Sequence, residues 1–217
     1  MSKLFIRNHQ YNLIKRQVSI IQHALKTTAD LNVMEVAKYS ALSKVLDAIS
    51  HTTDSQDQML RKMTDLETAE EFQQYINSLE PLLLEFPQVT KKQLTKLFSK
   101  NKKLKLPDLA SIDFQFLTYL GWLDISKNKL FIVYELDNEL MGIEGNFTIT
   151  NKKNICSLCK GFSKVVFVSA ISKTKPKNAS PDYYKSYGNY MCMNSEECNQ
   201  NITDVSKIES FIRNVRG

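Results

Sequence analysis

A chain of 217 residues, 42% hydrophobic and 24% charged, has room for two modest domains and too much apolar material for general disorder. It holds no apolar run near the length of about eighteen to twenty residues that spans a bilayer, since Leu82-Leu83-Leu84 is flanked by Pro81 and Glu85, so a membrane protein is not expected. A net charge of +6 and a pI near 9.0 favour an acidic partner, whether nucleic acid, the ribosome or an acidic protein face.

Met1 to Arg7 leads into a mixed-polarity helix with no apolar signal segment or cleavage site, which points to a reduced, cytoplasmic setting. Tyr11, Ile14, Val18, Ile21 and Leu25 recur at steps of three and four, giving one apolar stripe along a helix of about twenty residues. Asp30 suits the cap of a second helix with Leu42, Val45, Leu46 and Ile49 on its apolar face, and Met59 and Met63 fit a short third one. Thr68 and Glu71 have the capping-box spacing, ahead of Phe72, Tyr75, Ile76, Leu79 and Leu83. Several amphipathic helices with short links predict an antiparallel helical bundle over residues 1–86.

The pattern changes after Pro87. Residues 91–105 carry seven lysines and no acid, and a helix over residues 90–100 would align Lys92, Lys96, Lys100 and Lys103. Such a face is either simply solvated or a polyanion contact. Residues 114–122 are aromatic-rich, residues 130–134 and 140–149 read as strands, and Asp137-Asn138 suits the tight turn of a hairpin between them. Further strands are expected over residues 164–168 and 187–191, separated by a polar loop over residues 172–184 that contains Pro176 and Pro181. A last helix, from Thr203 or Asp204 to Val215, would turn Ile208, Phe211, Ile212 and Val215 inward. The fold class is therefore α+β, a helical bundle followed by a mixed lobe over residues 87–217.

Four cysteines are placed in that lobe as Cys156-x-x-Cys159, then thirty-two residues, then Cys192 and Cys198 with five residues between them. Two short loops, each giving two thiolates, are the usual way to build a tetrahedral zinc site. Two disulfides, buried free thiols and a redox Cys-x-x-Cys are the alternatives, and a reduced compartment favours metal. A knuckle, a hairpin and a helix in that order describe a treble-clef zinc finger. Four thiolates close the coordination shell, so one structural Zn2+ is expected and Lewis-acid catalysis is not. Its binding would contribute on the order of 10 kcal/mol to folding.

Tyr119-Leu120-Gly121-Trp122, Phe131-Ile132-Val133-Tyr134, Gly142 and Gly145, Ile155-Cys156-Ser157-Leu158-Cys159, and Gly188-Asn189-Tyr190-Met191-Cys192 with Cys198-Asn199-Gln200 carry a resemblance. Together with Lys102-Lys103-Leu104-Lys105-Leu106-Pro107, they are similar to the FusB-type fusidic-acid resistance proteins, also known as elongation-factor-G-binding or fibronectin-binding proteins. The resemblance implies a cytosolic protein that grips elongation factor G through its zinc lobe and frees it from ribosomes stalled by the drug. The family's partner-binding aromatics match at Tyr190 and Phe211, for which core packing is the alternative. Ile155 stands where the family has Phe, and Tyr187 where it has Lys, with Lys185 close by.

No phosphate loop, serine elbow or paired-carboxylate motif is present, and His9, His23 and His51 all fall in the helical half. A binding protein without a small-molecule substrate is expected, and nothing demands more than a monomer. The rival expectation is a basic zinc protein that binds ribosomal RNA or the ribosome directly through residues 91–105.

Overall fold

The three- and four-residue recurrence of Tyr11, Ile14, Val18 and Ile21 produces α1 (Asn8–Thr27), with all four side chains buried. The computed structural model describes residues 3–180 and 182–216. α2 (Leu31–Ala48) begins where the Asp30 carboxylate accepts the backbone N–H of Asn32 at 2.8 Å. α3 (Asp54–Arg61) and α4 (Ala69–Leu79) both start at reciprocal capping boxes, Thr53 with Gln56 and Thr68 with Glu71. Leu83 is not on α4 as its spacing implied. A 3₁₀ turn containing Pro81 ends the helix, and Leu83 runs extended beyond it, bridged in parallel to Ile6.

Two compact units result, Met1–Leu84 and Glu85–Gly217. Phe86, on the bundle side of the expected boundary, packs instead in the second unit with Val89, Leu94 and Phe98. That unit is built on a five-stranded antiparallel meander in sequential order. Its strands are β1 (Leu120–Asp124), β2 (Lys129–Leu136), β3 (Glu139–Ile155), β4 (Phe162–Ile171) and β5 (Ser186–Cys192). Asp137 and Asn138 make the β2–β3 turn with φ of 53° and 63°, the left-handed pair that a two-residue hairpin of this twist requires.

The uninterrupted apolar run of β2 has a simple cause: both faces are covered. Phe131 and Val133 join the core of Phe86, Leu94, Phe98 and Phe114, whereas Leu130, Ile132 and Tyr134 join the opposite core. That second core includes the four cysteines and the inward face of α7 (Ser206–Arg216), namely Ile208, Phe211, Ile212 and Val215. A further helix not foreseen from the pattern, α6 (Ser195–Asn201), carries Cys198.

The lysine helix is shorter than expected. α5 (Lys91–Leu97) is capped by Thr90 and Gln93 and stops where Phe98 leaves helical geometry to pack edge-on against Trp122 and Phe131. Lys92 and Lys96 share a helical face; Lys100 and Lys103 lie beyond the helix, so the four-lysine stripe does not form.

Candidate functional site

The knuckle at the β3–β4 connection positions the first two cysteines. Cys156 N–H donates to the Gly161 carbonyl at 2.9 Å and Lys160 N–H to the Cys156 carbonyl at 3.0 Å, with Lys160 at a φ of 62° to close the turn. Cys192 ends β5, and its backbone N–H donates to the Cys156 sulfur at 3.3 Å. Cys198 arrives from α6, and all four thiols are buried and unbonded, their sulfurs within 4.8 Å of one another. Sulfurs at the corners of a tetrahedron about 2.3 Å from a central zinc stand about 3.8 Å apart. Two of the separations, 3.9 Å for Cys156 to Cys198 and 3.6 Å for Cys159 to Cys192, lie close to that value, so the cluster suits the ion.

The electrostatics point the same way. Neighbouring thiols, Cys159 first and then Cys192 and Cys198, draw the Cys156 thiol far below its ordinary value. Cys192 and Cys198 are pushed up, each chiefly by its hydrogen bond with Cys156. A zinc ion bound at this cluster would hold the sulfurs as thiolates.

Around the cluster lies a shell that the cysteine spacing did not disclose. The Ser163 hydroxyl sits 3.2 Å from the Cys192 sulfur. Tyr119, fully buried beside Cys198, is held protonated, by burial first and then by the charge of that sulfur. A Cβ at Gly121 would lie 2.7 Å from the Tyr119 ring and 3.1 Å from Ser195 Cβ, so only glycine lets α6 close on β1. Tyr119 and Gly121 contributed to the sequence resemblance only as parts of a motif, and Ser163 and Ser195 were not among its residues.

Residues proposed for partner contact separate into three environments. Tyr190 is 41% exposed on β5, its ring edge-on to Phe167 at 5.4 Å, and its carbonyl accepts the backbone N–H and the hydroxyl of Ser157, each at 2.7 Å. Phe167 reaches across Gly188, where a Cβ would come within 2.5 Å of the ring. Ile155, 58% exposed, pairs across the knuckle with Phe162, itself 69% exposed. Tyr187 alternates to the other face of β5 from Tyr190, half-buried against the lobe's core, with Lys185 Nζ 5.0 Å from its ring centre. Phe211, at 3% exposure, is a core residue of α7, which is the core-packing alternative given for it above. Phe162 and Phe167 were missed, although Phe162 directly after Gly161 was the available signal.

Residues 93–214 match the family model described as the FBP C-terminal treble-clef zinc-finger, and residues 5–87 match that of the elongation factor G-binding protein, N-terminal. The chain belongs to the elongation factor G-binding family with an FBP-type zinc finger. A solved structure, that of the fusidic acid resistance protein FusC, superposes with a TM-score of 0.80 at 28% identity and covers 98% of each chain. No curated protein sequence matches. The expected fold class, helices followed by a treble-clef lobe, is that of the family and of this structure. No helix among the described residues is long and apolar enough to cross a membrane.

Proposed function

We propose that this protein binds elongation factor G through its zinc lobe and thereby releases the factor from ribosomes on which fusidic acid has stalled it. The observation that carries this reading is that the likeness to the resistance protein runs through both units, over 98% of each chain. The lobe supports it physically. One structural Zn2+ held by Cys156, Cys159, Cys192 and Cys198 would fix the knuckle beside β5, and that frame presents Tyr190 with Phe167, and Ile155 with Phe162, as exposed apolar anchors. Aromatic anchors on a rigid frame concentrate binding energy at small entropic cost.

Release then needs no covalent chemistry. A protein that binds the factor more tightly in a conformation incompatible with the stalled ribosome shifts the equilibrium toward the free factor by that difference in affinity. The reading makes this a monomeric, non-enzymatic protein of the cytoplasm, with the ribosome as its indirect target. A pull-down with purified elongation factor G tests it, run with the intact chain and with Tyr190→Ala. Ribosome turnover under fusidic acid should be restored with the drug recovered intact; consumption of the drug would overturn the reading.

A further inference from the structure

Two lysine-rich segments, about seventy residues apart in sequence by number, meet at one cleft of the second unit. Residues 91–105 contain seven lysines, and residues 173–177 add Lys173, Lys175 and Lys177. The cleft, of about 610 Å³, is lined by Lys100 from the first segment, Lys173 from the second and Lys129 from β2. Its one lining acid, Glu144, is already engaged: the carboxylate accepts Lys129 Nζ at 2.7 Å and also Asn101 Nδ2. Among the described residues, neither Lys100 nor Lys173 has a carboxylate partner.

The position of Lys173 is fixed by its surroundings. Its backbone N–H donates to the Val215 carbonyl at 2.8 Å, and the neighbouring Ser172 hydroxyl donates to the Asn214 carbonyl at 2.9 Å. These bonds hold the segment against the end of α7. The Lys173 ammonium is held below its ordinary value, by burial first and then by the positive charges of Arg216 and Lys100. The cleft is therefore short of negative charge, and a bound anion would relieve it.

We propose that this cleft seats the phosphodiester backbone of an RNA strand, with Lys100 and Lys173 each neutralising a phosphate. This goes beyond binding of elongation factor G and stands without it. The surroundings favour RNA over an acidic polypeptide. A protein interface is built on apolar anchors, yet of the apolar residues of the lysine segment Leu94 and Phe98 are buried and Leu97 and Leu104 are half-buried against the same core, which leaves Ile171 as the cleft's one exposed large hydrophobic among the described residues. Lys91, Lys92, Lys96, Lys102, Lys103 and Lys105 are all exposed along the same segment, a density of charge that suits a polyanion better than a single phosphate ion. Lysine ammonium groups act as point charges, without the fork that reads base edges, so the contact would position a strand with little sequence preference.

The test is fluorescence anisotropy of the full chain with a labelled oligouridylate, over a salt range of about 50 to 200 mM. Binding should weaken steeply with salt, and Lys100→Glu/Lys173→Glu should lower affinity by about tenfold or more and make the log–log salt slope shallower by about 1.4, the value for two lost single-strand phosphate contacts. Lys100→Gln/Lys173→Gln, which adds no new charge, should weaken binding in the same sense, and Lys44→Glu on α2 should leave it unchanged. Capture of elongation factor G should survive both cleft variants, which separates failure of this site from failure of the main reading. Three results overturn the proposal: no binding by the unaltered chain at low salt, equal affinity of the cleft variants, or tighter binding of labelled polyglutamate of matched charge than of the RNA.

Discussion

Asn199 and Tyr119 are joined by two hydrogen bonds of opposite sense: the Asn199 Nδ2 donates to the Tyr119 carbonyl at 2.9 Å, and the Tyr119 N–H donates to Asn199 Oδ1 at 3.1 Å. The same oxygen accepts the Thr118 N–H at 2.7 Å, so one buried amide beside Cys198 satisfies three backbone groups at the start of β1. Asn199→Ala removes one hydrogen-bond partner from each of those groups, and the expected cost is roughly 3 kcal/mol. Urea unfolding followed by fluorescence of Trp122, the chain's single tryptophan, measures it. A change below about 1 kcal/mol would show that water replaces the amide without loss.

Metal removal should act on the second unit as a whole. Colorimetric titration of the chain treated with a strong chelator is expected to find one zinc ion released per molecule. Cys159→Ser should leave Trp122 solvated, with red-shifted emission, since loss of a structural zinc site removes on the order of 10 kcal/mol of folding energy. Purified protein that is fully folded and free of zinc would falsify the metal assignment.

Two aromatic substitutions should give opposite signatures. Phe211→Ala empties a core position and should destabilise the second unit by about 3 to 5 kcal/mol. Tyr190→Ala, on the exposed face, should cost less than about 1 kcal/mol of stability and yet weaken capture of elongation factor G by about tenfold or more. Calorimetry and pull-down on the same two variants distinguish a buried residue from a contact residue. Equal effects of both on capture at matched folding would count against the Tyr190 surface.

Acid should loosen the lysine cleft in a defined window. Burial alone would raise the pKa of Glu144, but the hydrogen bonds from Lys129 and Asn101 outweigh it and hold the carboxyl below its ordinary value. A group depressed in the folded state stabilises the fold above its unfolded pKa of about 4.3, and that contribution is lost as pH falls through the folded value. The difference in melting temperature between the unaltered chain and Glu144→Gln should therefore be constant near neutrality and shrink on acidification below about pH 4. Protonation of the cysteine site is common to both proteins and cancels in the difference. A gap that does not move with pH would exclude this contribution.

Periodic and punctuated features were legible in the amino-acid sequence because their causes are local. The stripe of α1, the Thr68–Glu71 box, the Asp137-Asn138 turn and the four-cysteine set each follow from spacing alone. What stayed hidden depends on contacts distant in sequence. α6 is seven residues of polar composition with no apolar stripe, and it is tied to β1 and the residue before it through Ser195 and Asn199, seventy to eighty positions from their partners by number. The early end of α5 is set by Phe98 finding Trp122 and Phe131 across the sheet, a pairing that no helical pattern encodes. Whether Phe211 faces inward or outward was likewise settled by packing across the lobe and not by its place in a motif.

The two outermost strands of the meander each have a carbonyl occupied from outside the ladder. The Ser195 hydroxyl caps Gly121 on β1 at 2.6 Å, and Ser157 caps Tyr190 on β5. Bare strand flanks are templates for self-addition, strand exchange between copies and amyloid growth. By drawing the knuckle and α6 against these flanks, the cysteine cluster leaves each edge with fewer open acceptors for a second copy to pair with.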